Sequence, residues 1–305
     1  MSRRLRGVLA LLLAFGLIAA ACGDSDSDDA DEAPAADAGD EGDAAEATDA
    51  PEAPAEECSV DQLPLDEPGQ LTVATGEPVF EPWMVDDDPT NMQGFESALV
   101  YELADRLGFA AENVAWVRTG FDEAIAPGDK DYDFNIQQYS ITEDRDEVVD
   151  FSVGYYQVEQ AVIGAADSPV ASATSLADLA DTRLGAAIGT TSLDYAENVI
   201  GVTAAVYDDN VAAKAAFDAG QVDGIVFDLP TAYFITAVEI PEAEIIGVLP
   251  RVGDEPEELG LLFADGSPLV PCIDSALEAM HADGTIDSLE DEWLNQGGNI
   301  PSISE

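Results

Sequence analysis

An alternation of strand and helix constrains this chain more than any other feature. Leu71–Thr75 reads as a strand and Gly94–Leu107 as an amphipathic helix, with Phe95, Leu99, Leu103 and Leu107 near helical spacing and Gly108 as its stop. Val114–Val117 reads as a strand, Phe121–Ala126 as a short helix and Tyr132–Ile136 as a strand. A βαβαβ order predicts a mainly parallel sheet with helices on its faces.

A second unit of the same kind follows. Ser175–Ala180 reads as a short helix and Arg183–Ile188 as a strand; Gly189-Thr190-Thr191 leads into a helix over Ser192–Val199. Strands are expected at Ala204–Tyr207, Gly224–Phe227 and Ile245–Leu249, with helices at Asn210–Ala219 and Pro230–Val238. After Pro250 the pattern changes to a strand, Leu259–Phe263, and two helices, Val270–His281 and Ile286–Leu294, split at Asp283-Gly284.

The chain ahead of these elements has another character. Met1–Cys22 carries Arg3, Arg4 and Arg6, then an apolar run from Val8 to Ala21, the pattern of an export signal too short for a stable membrane span. Its end, Ala19-Ala20-Ala21-Cys22, resembles a bacterial lipobox, with Ala19 where that pattern prefers Leu. Cys22 is therefore expected to carry lipid and to hold the protein outside the cell on its membrane; plain cleavage nearby is the alternative. Residues 23–57 hold 15 acids, no base and no large apolar side chain. They cannot bury enough surface to offset ordering entropy, so Gly23–Glu57 is expected to be a disordered acidic tether.

The formal charge of the whole chain is −54. Nucleic acids and anionic lipid surfaces need basic patches, which excludes them as partners. Long-range potential favours a zwitterionic or cationic small molecule, and a high-salt habitat would select the same surface. Three cysteines and one histidine, His281, leave little material for a zinc site or for Cys–His or Ser–His catalysis. Neither a metal nor a cofactor is expected.

The most informative stretch for function is Asn135–Tyr156, NIQQYSITEDRDEVVDFSVGYY. A strand ends in amides and hydroxyls, Gln137-Gln138-Tyr139-Ser140; a helical turn starts at Thr142; Arg145 follows three residues on. A helix start and a guanidinium together suit a carboxylate, whereas an Arg among Glu143, Asp144, Asp146 and Glu147 could equally be a surface ion-pair centre. Ser-Ile-Thr-x-x-Arg followed by Asp150-Phe151-Ser152 and Tyr155-Tyr156 resembles the bacterial extracellular solute-binding proteins of family 3, the amino-acid-binding lipoproteins of ABC importers. The order of further segments is similar to that family: an aromatic loop at Glu77–Trp83, a second aromatic at Phe121, Gly189-Thr190-Thr191, and Asp228 after Gly220-Gln221-Val222-Asp223-Gly224.

This resemblance spans residues 68–296 and implies an α/β fold of type II, two-lobed, with a parallel sheet in each lobe and two crossovers. Residues 58–158 plus 250–305 would form lobe 1 and 159–249 lobe 2, with crossings near Gln157–Glu159 and Gly247–Val252. It also implies a ligand set. Phe80 and Phe121 would flank the ligand, Gln138 and Ser140 offer polar contacts, Arg145 clamps an α-carboxylate, Thr191 shares it, and Asp228 meets an α-ammonium. The family often has Ser or Gly where this chain has Gln137-Gln138, which opens the side-chain specificity. For Phe80 and Trp83 plain core packing stands as the alternative, and for Thr191 and Asp228 an ordinary helix cap. If the last helices pack on lobe 1, a Cys58–Cys272 disulfide is feasible; two free thiols are the alternative. The implied function is capture of a polar or cationic amino acid, or a related zwitterion, by a monomer that delivers it to an ABC permease. A periplasmic dehydratase-like enzyme on the same fold, or a ligand-sensing surface receptor, remain as rivals.

Overall fold

The structure, a computed structural model, describes residues 58–294 and 300–305. The expected export signal, Cys22 and the acidic tether lie outside the described residues. Strand β1 (Leu71–Thr75) leads through a Pro-rich loop to helix α1 (Phe95–Arg106) and then to β2 (Val114–Arg118). Helix α2 (Phe121–Ile125), β3 (Phe134–Asn135), α3 (Glu143–Asp146) and β4 (Val149–Phe151) follow. Strand β5 (Tyr156–Val158) runs directly into β6 (Gln160–Ala165), after which come α4 (Leu176–Leu179), β7 (Leu184–Ala187) and α5 (Thr191–Asp194), which continues as a wider turn over Tyr195–Ile200. The remaining elements are β8 (Ala205–Tyr207), α6 (Asn210–Asp218), β9 (Gly224–Asp228), α7 (Leu229–Phe234), β10 (Ala243–Val248), β11 (Glu257–Leu259), β12 (Leu262–Ala264), α8 (Val270–Ala282) and α9 (Thr285–Trp293).

These strands form two five-stranded sheets, in the orders β2-β1-β3-β12-β4 and β10-β6-β9-β7-β8, with a two-stranded ribbon β5-β11 between them. Each sheet is parallel except for one strand. In the first it is β12, antiparallel to both β3 and β4; in the second it is β6, antiparallel to both β9 and β10. Both reversed strands directly follow a ribbon strand. The chain therefore enters each sheet against the direction of the others whenever it crosses between lobes. The expected mainly parallel sheets are present, each with one reversed strand for this reason.

The first lobe buries one apolar core, in which α1, α8 and α9 pack together over β1 and β3 around Phe95, Leu99, Leu103, Phe134 and Leu277. Cys272, in α8, is bonded to Cys58. The second lobe has a core on each face of its sheet, one around Leu184, Tyr195 and Val226 and the other around Ile163, Ile225 and Phe227.

Two boundaries differ from the sequence reading. The returning ribbon strand lies at Glu257–Leu259, later in the chain than Gly247–Val252. The C-terminal residues also leave lobe 1. Ile303 N donates to Val248 O at 2.8 Å, Val248 N to Pro301 O at 2.9 Å, and Ile303 is buried in a lobe 2 core. Strand β10 is a sheet edge with unpaired backbone groups, and the tail supplies them. The assignment of all of 250–305 to lobe 1 is thereby corrected for residues 301–304.

Candidate functional site

All seven candidate residues, Phe80, Phe121, Gln138, Ser140, Arg145, Thr191 and Asp228, line one cleft of ≈ 240 Å³. The loops after β1, β2 and β3 supply the lobe 1 wall, and the segments after β7 and β9 the lobe 2 wall. The lobes touch across it. Trp83 Nε1 donates to Thr231 Oγ1 at 3.0 Å, and Ser140 Oγ lies 3.3 Å from Thr191 Oγ1.

Arg145 is buried, only 8% exposed. Thr142 caps its helical turn, accepting from Arg145 N at 3.3 Å, which points the side chain inward. Its guanidinium donates to Ser140 O at 2.6 Å on its own lobe and to Gly189 O at 2.8 Å on the other. Its carbon lies 5.5 Å from the centre of the Phe121 ring, which in turn stacks on Tyr139 at 4.6 Å. Among the described residues Arg145 forms no ion pair. The surface ion-pair reading of this residue is therefore set aside. Burial pushes its pKa down; Tyr139, Glu257, Asp194 and Asp228 push it back up.

Gly189 makes this contact possible. Its φ is +72°, and a side chain there would collide with Asp122 of the opposite lobe. The capping alternatives also resolve. The cap of α5 is Thr190, which accepts from Leu193 N at 3.1 Å, so Thr191 is left to face the cleft. Asp228 precedes α7 but makes no side-chain cap; its Oδ1 accepts from Gln160 Nε2 at 2.7 Å. Phe80 is half-buried on the cleft wall, whereas Trp83 is a core residue.

Three supporting residues escaped the sequence reading. Glu96 on α1 is fully buried and accepts from Tyr155 Oη at 2.6 Å, from Gln138 N at 2.8 Å and from the Gln138 side-chain amide. It holds Gln138 at φ +52°, a backbone state that few residues other than glycine adopt unaided. Gln160, the first residue of β6, donates to Asp228 and accepts from Ser192 Oγ at 2.6 Å. Glu257, on β11, accepts from Ser140 Oγ and from Thr191 Oγ1, each at 2.6 Å.

Burial raises the Asp228 carboxyl, as does the negative charge of Glu257; Gln160 and Arg145 draw it down. Burial raises Glu96 from 4.5 to about 7, against the pull of Tyr155 and Gln138. Across that window the folded state holds a proton that the unfolded chain releases. The Glu96 contribution to stability is thus complete below the unfolded pKa of 4.5 and is lost as pH rises through about 7. Thermal unfolding of the wild type and Glu96→Gln across this range is expected to show a difference that changes with pH. A constant difference would reject the assignment.

Two α/β lobes joined by paired ribbon strands around a polar cleft define the two-lobed binding-protein architecture of type II. The chain matches the bacterial extracellular solute-binding proteins, family 3, over residues 71–296, and it belongs to that family. It is 26% identical over 232 residues to the L-cystine-binding protein TcyJ of Escherichia coli K12, covering 75% of this chain and 84% of that one. A solved ancestral arginine-binding protein bound to arginine is 30% identical, with a TM-score of 0.61 over 74% of this chain and 98% of its own. A mutant of ArgBP from T. maritima is 28% identical, with a TM-score of 0.62 over 75% of this chain and 96% of its own.

Proposed function

We propose that this protein is an extracytoplasmic substrate-binding lipoprotein, anchored through Cys22, that captures a polar or cationic amino acid between its lobes and hands it to an ABC permease. The observation that supports this most directly is Arg145, a buried cation hydrogen-bonded to a carbonyl of each lobe, with no carboxylate in an ion pair with it among the described residues. An isolated buried charge is costly. A ligand carboxylate entering the cleft would supply the missing partner, while Asp228 on the far wall would meet an ammonium group. Contacts from both lobes would then favour closure, so ligand binding shifts the open–closed balance. The named relatives bind amino acids by name, arginine and cystine among them. That supports a carrier rather than an enzyme, and an amino acid as cargo.

A thermal-shift screen over the twenty amino acids and L-cystine tests the reading. A cognate ligand at ~100 times its Kd is expected to add about 2.7 kcal/mol of stability. No shift with any of them would reject an amino-acid cargo.

A further inference from the structure

Resting on the amino-acid reading above, we infer that the cargo is two-headed: an amino acid whose side chain ends in a second ammonium–carboxylate pair, held in a second cavity that continues the cleft. This cavity, of ≈ 190 Å³, lies between α6 and α7 of lobe 2 and shares Phe80, Asn210 and Thr231 with the cleft. The cleft by itself, at ≈ 240 Å³, is smaller than the ~300 Å³ at which small-molecule sites usually begin. With the second cavity the space enters that range.

The second cavity carries both signs of charge. Past apolar walls at Val211 and Phe234 it is lined by Lys214 and Glu239. Their side chains are only 25% and 32% exposed, and the charged atoms stand 3.9 Å apart, too far for a hydrogen bond between them. Lys214 Nζ donates to Asp218 at 3.3 Å. An ammonium has three protons, so a ligand carboxylate can still be met there. Glu239 can accept from a ligand ammonium. A lone distal cation, as in lysine or arginine, would find Glu239 but would also face Lys214. A second head satisfies both.

One helical stripe serves both ends of such a ligand. Asp228, Thr231, Ile235 and Glu239, on α7 and its continuation over Ile235–Glu239, are spaced i, i+3, i+7 and i+11, as on one face of a helix. Asp228 lines the cleft, Thr231 lines both spaces, and Ile235 and Glu239 line the second cavity. At the helical rise, the two acids stand roughly 16 Å apart along the axis. One ammonium cannot meet both. The reach of each side chain and a hydrogen bond of about 3 Å at each end shorten the gap, and a ligand with several atoms between its two heads spans the remainder. Phe80 and Phe234 flank that spacer with apolar surface.

Calorimetry with L-cystine and L-cystathionine, beside L-lysine, L-arginine and L-glutamine, tests the inference. The wild type is expected to bind a two-headed ligand at least ~10-fold more tightly than any one-headed one. Lys214→Met is expected to weaken the two-headed ligand ~10-fold and to leave lysine and arginine unchanged or tighter. Glu239→Gln is expected to weaken the two-headed ligand and both cations. Val211→Trp, which fills the second cavity, is expected to weaken the two-headed ligand and spare glutamine. If the wild type prefers a one-headed ligand, or if Lys214→Met leaves the two-headed ligands unchanged, the inference is overturned while the proposed function stands. If the wild type binds none of the amino acids, the proposed function falls and this inference with it.

Discussion

Arg145→Ala is expected to lower affinity for the cognate amino acid by between ~30-fold and several thousand-fold, corresponding to about 2–5 kcal/mol for truncating one partner of a buried charge pair. The estimate follows from where the guanidinium sits. It is buried, it faces a cleft, and among the described residues its guanidinium hydrogen-bonds to two carbonyl oxygens, which bring no compensating charge. The alanine variant also loses the bond to Gly189 O, which spans the lobes, so closure itself should weaken. Isothermal calorimetry measures the first effect and small-angle scattering with saturating ligand the second. Arg145→Lys separates charge from geometry. A lysine keeps the positive charge but lacks the planar fork, and it cannot hold two carbonyls and a carboxylate at once. Its affinity is expected to fall between the two. An unchanged affinity in the alanine variant would falsify the placement of Arg145 at the ligand.

The parts of this molecule that could be read from sequence are those whose signal is local. Leu71–Thr75 is a short run rich in β-branched residues, and α1 carries a helical stripe, so both are visible without a fold. The cleft-lining residues were legible because each follows a strand end in a fixed order, and the fold gathers those strand ends at one cleft. Strand β6 was missed. Its sequence, QAVIGA, is buried over its first five residues and shows no alternation, so periodicity gives it no signature. Glu96 left a trace that went unread: it lies on the same helical face as Val100 and Leu103, where a carboxylate must be buried and hydrogen-bonded. Glu257 left none. In the run Asp254-Glu255-Pro256-Glu257-Glu258 nothing local distinguishes it from its neighbours. Only the return of the chain through the ribbon brings it to Ser140 and Thr191, and that is a property of topology.

Replacing both Cys58 and Cys272 by serine is expected to cost about 5 kcal/mol of stability, the chain-entropy value for so long a loop, while leaving ligand affinity within about twofold of wild type. The bridge joins residues 214 apart in sequence. The loop it closes contains lobe 2 apart from the tail residues 301–304, yet Cys272, like Val60 and Leu65, packs against the lobe 1 core. Opening or local unfolding of lobe 2 therefore leaves the bridged pair undisturbed, and the cross-link acts only when lobe 1 comes apart. Neither cysteine lines the cleft. Chemical denaturation followed by tryptophan fluorescence is a suitable readout, because Trp83 and Trp116 both belong to the lobe 1 core or pack against it. The fluorescence midpoint should fall sharply in the serine variant, while calorimetric titration of the still-folded protein should barely change. A loss of affinity without a loss of stability would mean instead that the bridge sets the geometry of the cleft, and that the lobe 1 wall around Phe80 and Arg145 is held from the chain's N-terminal side.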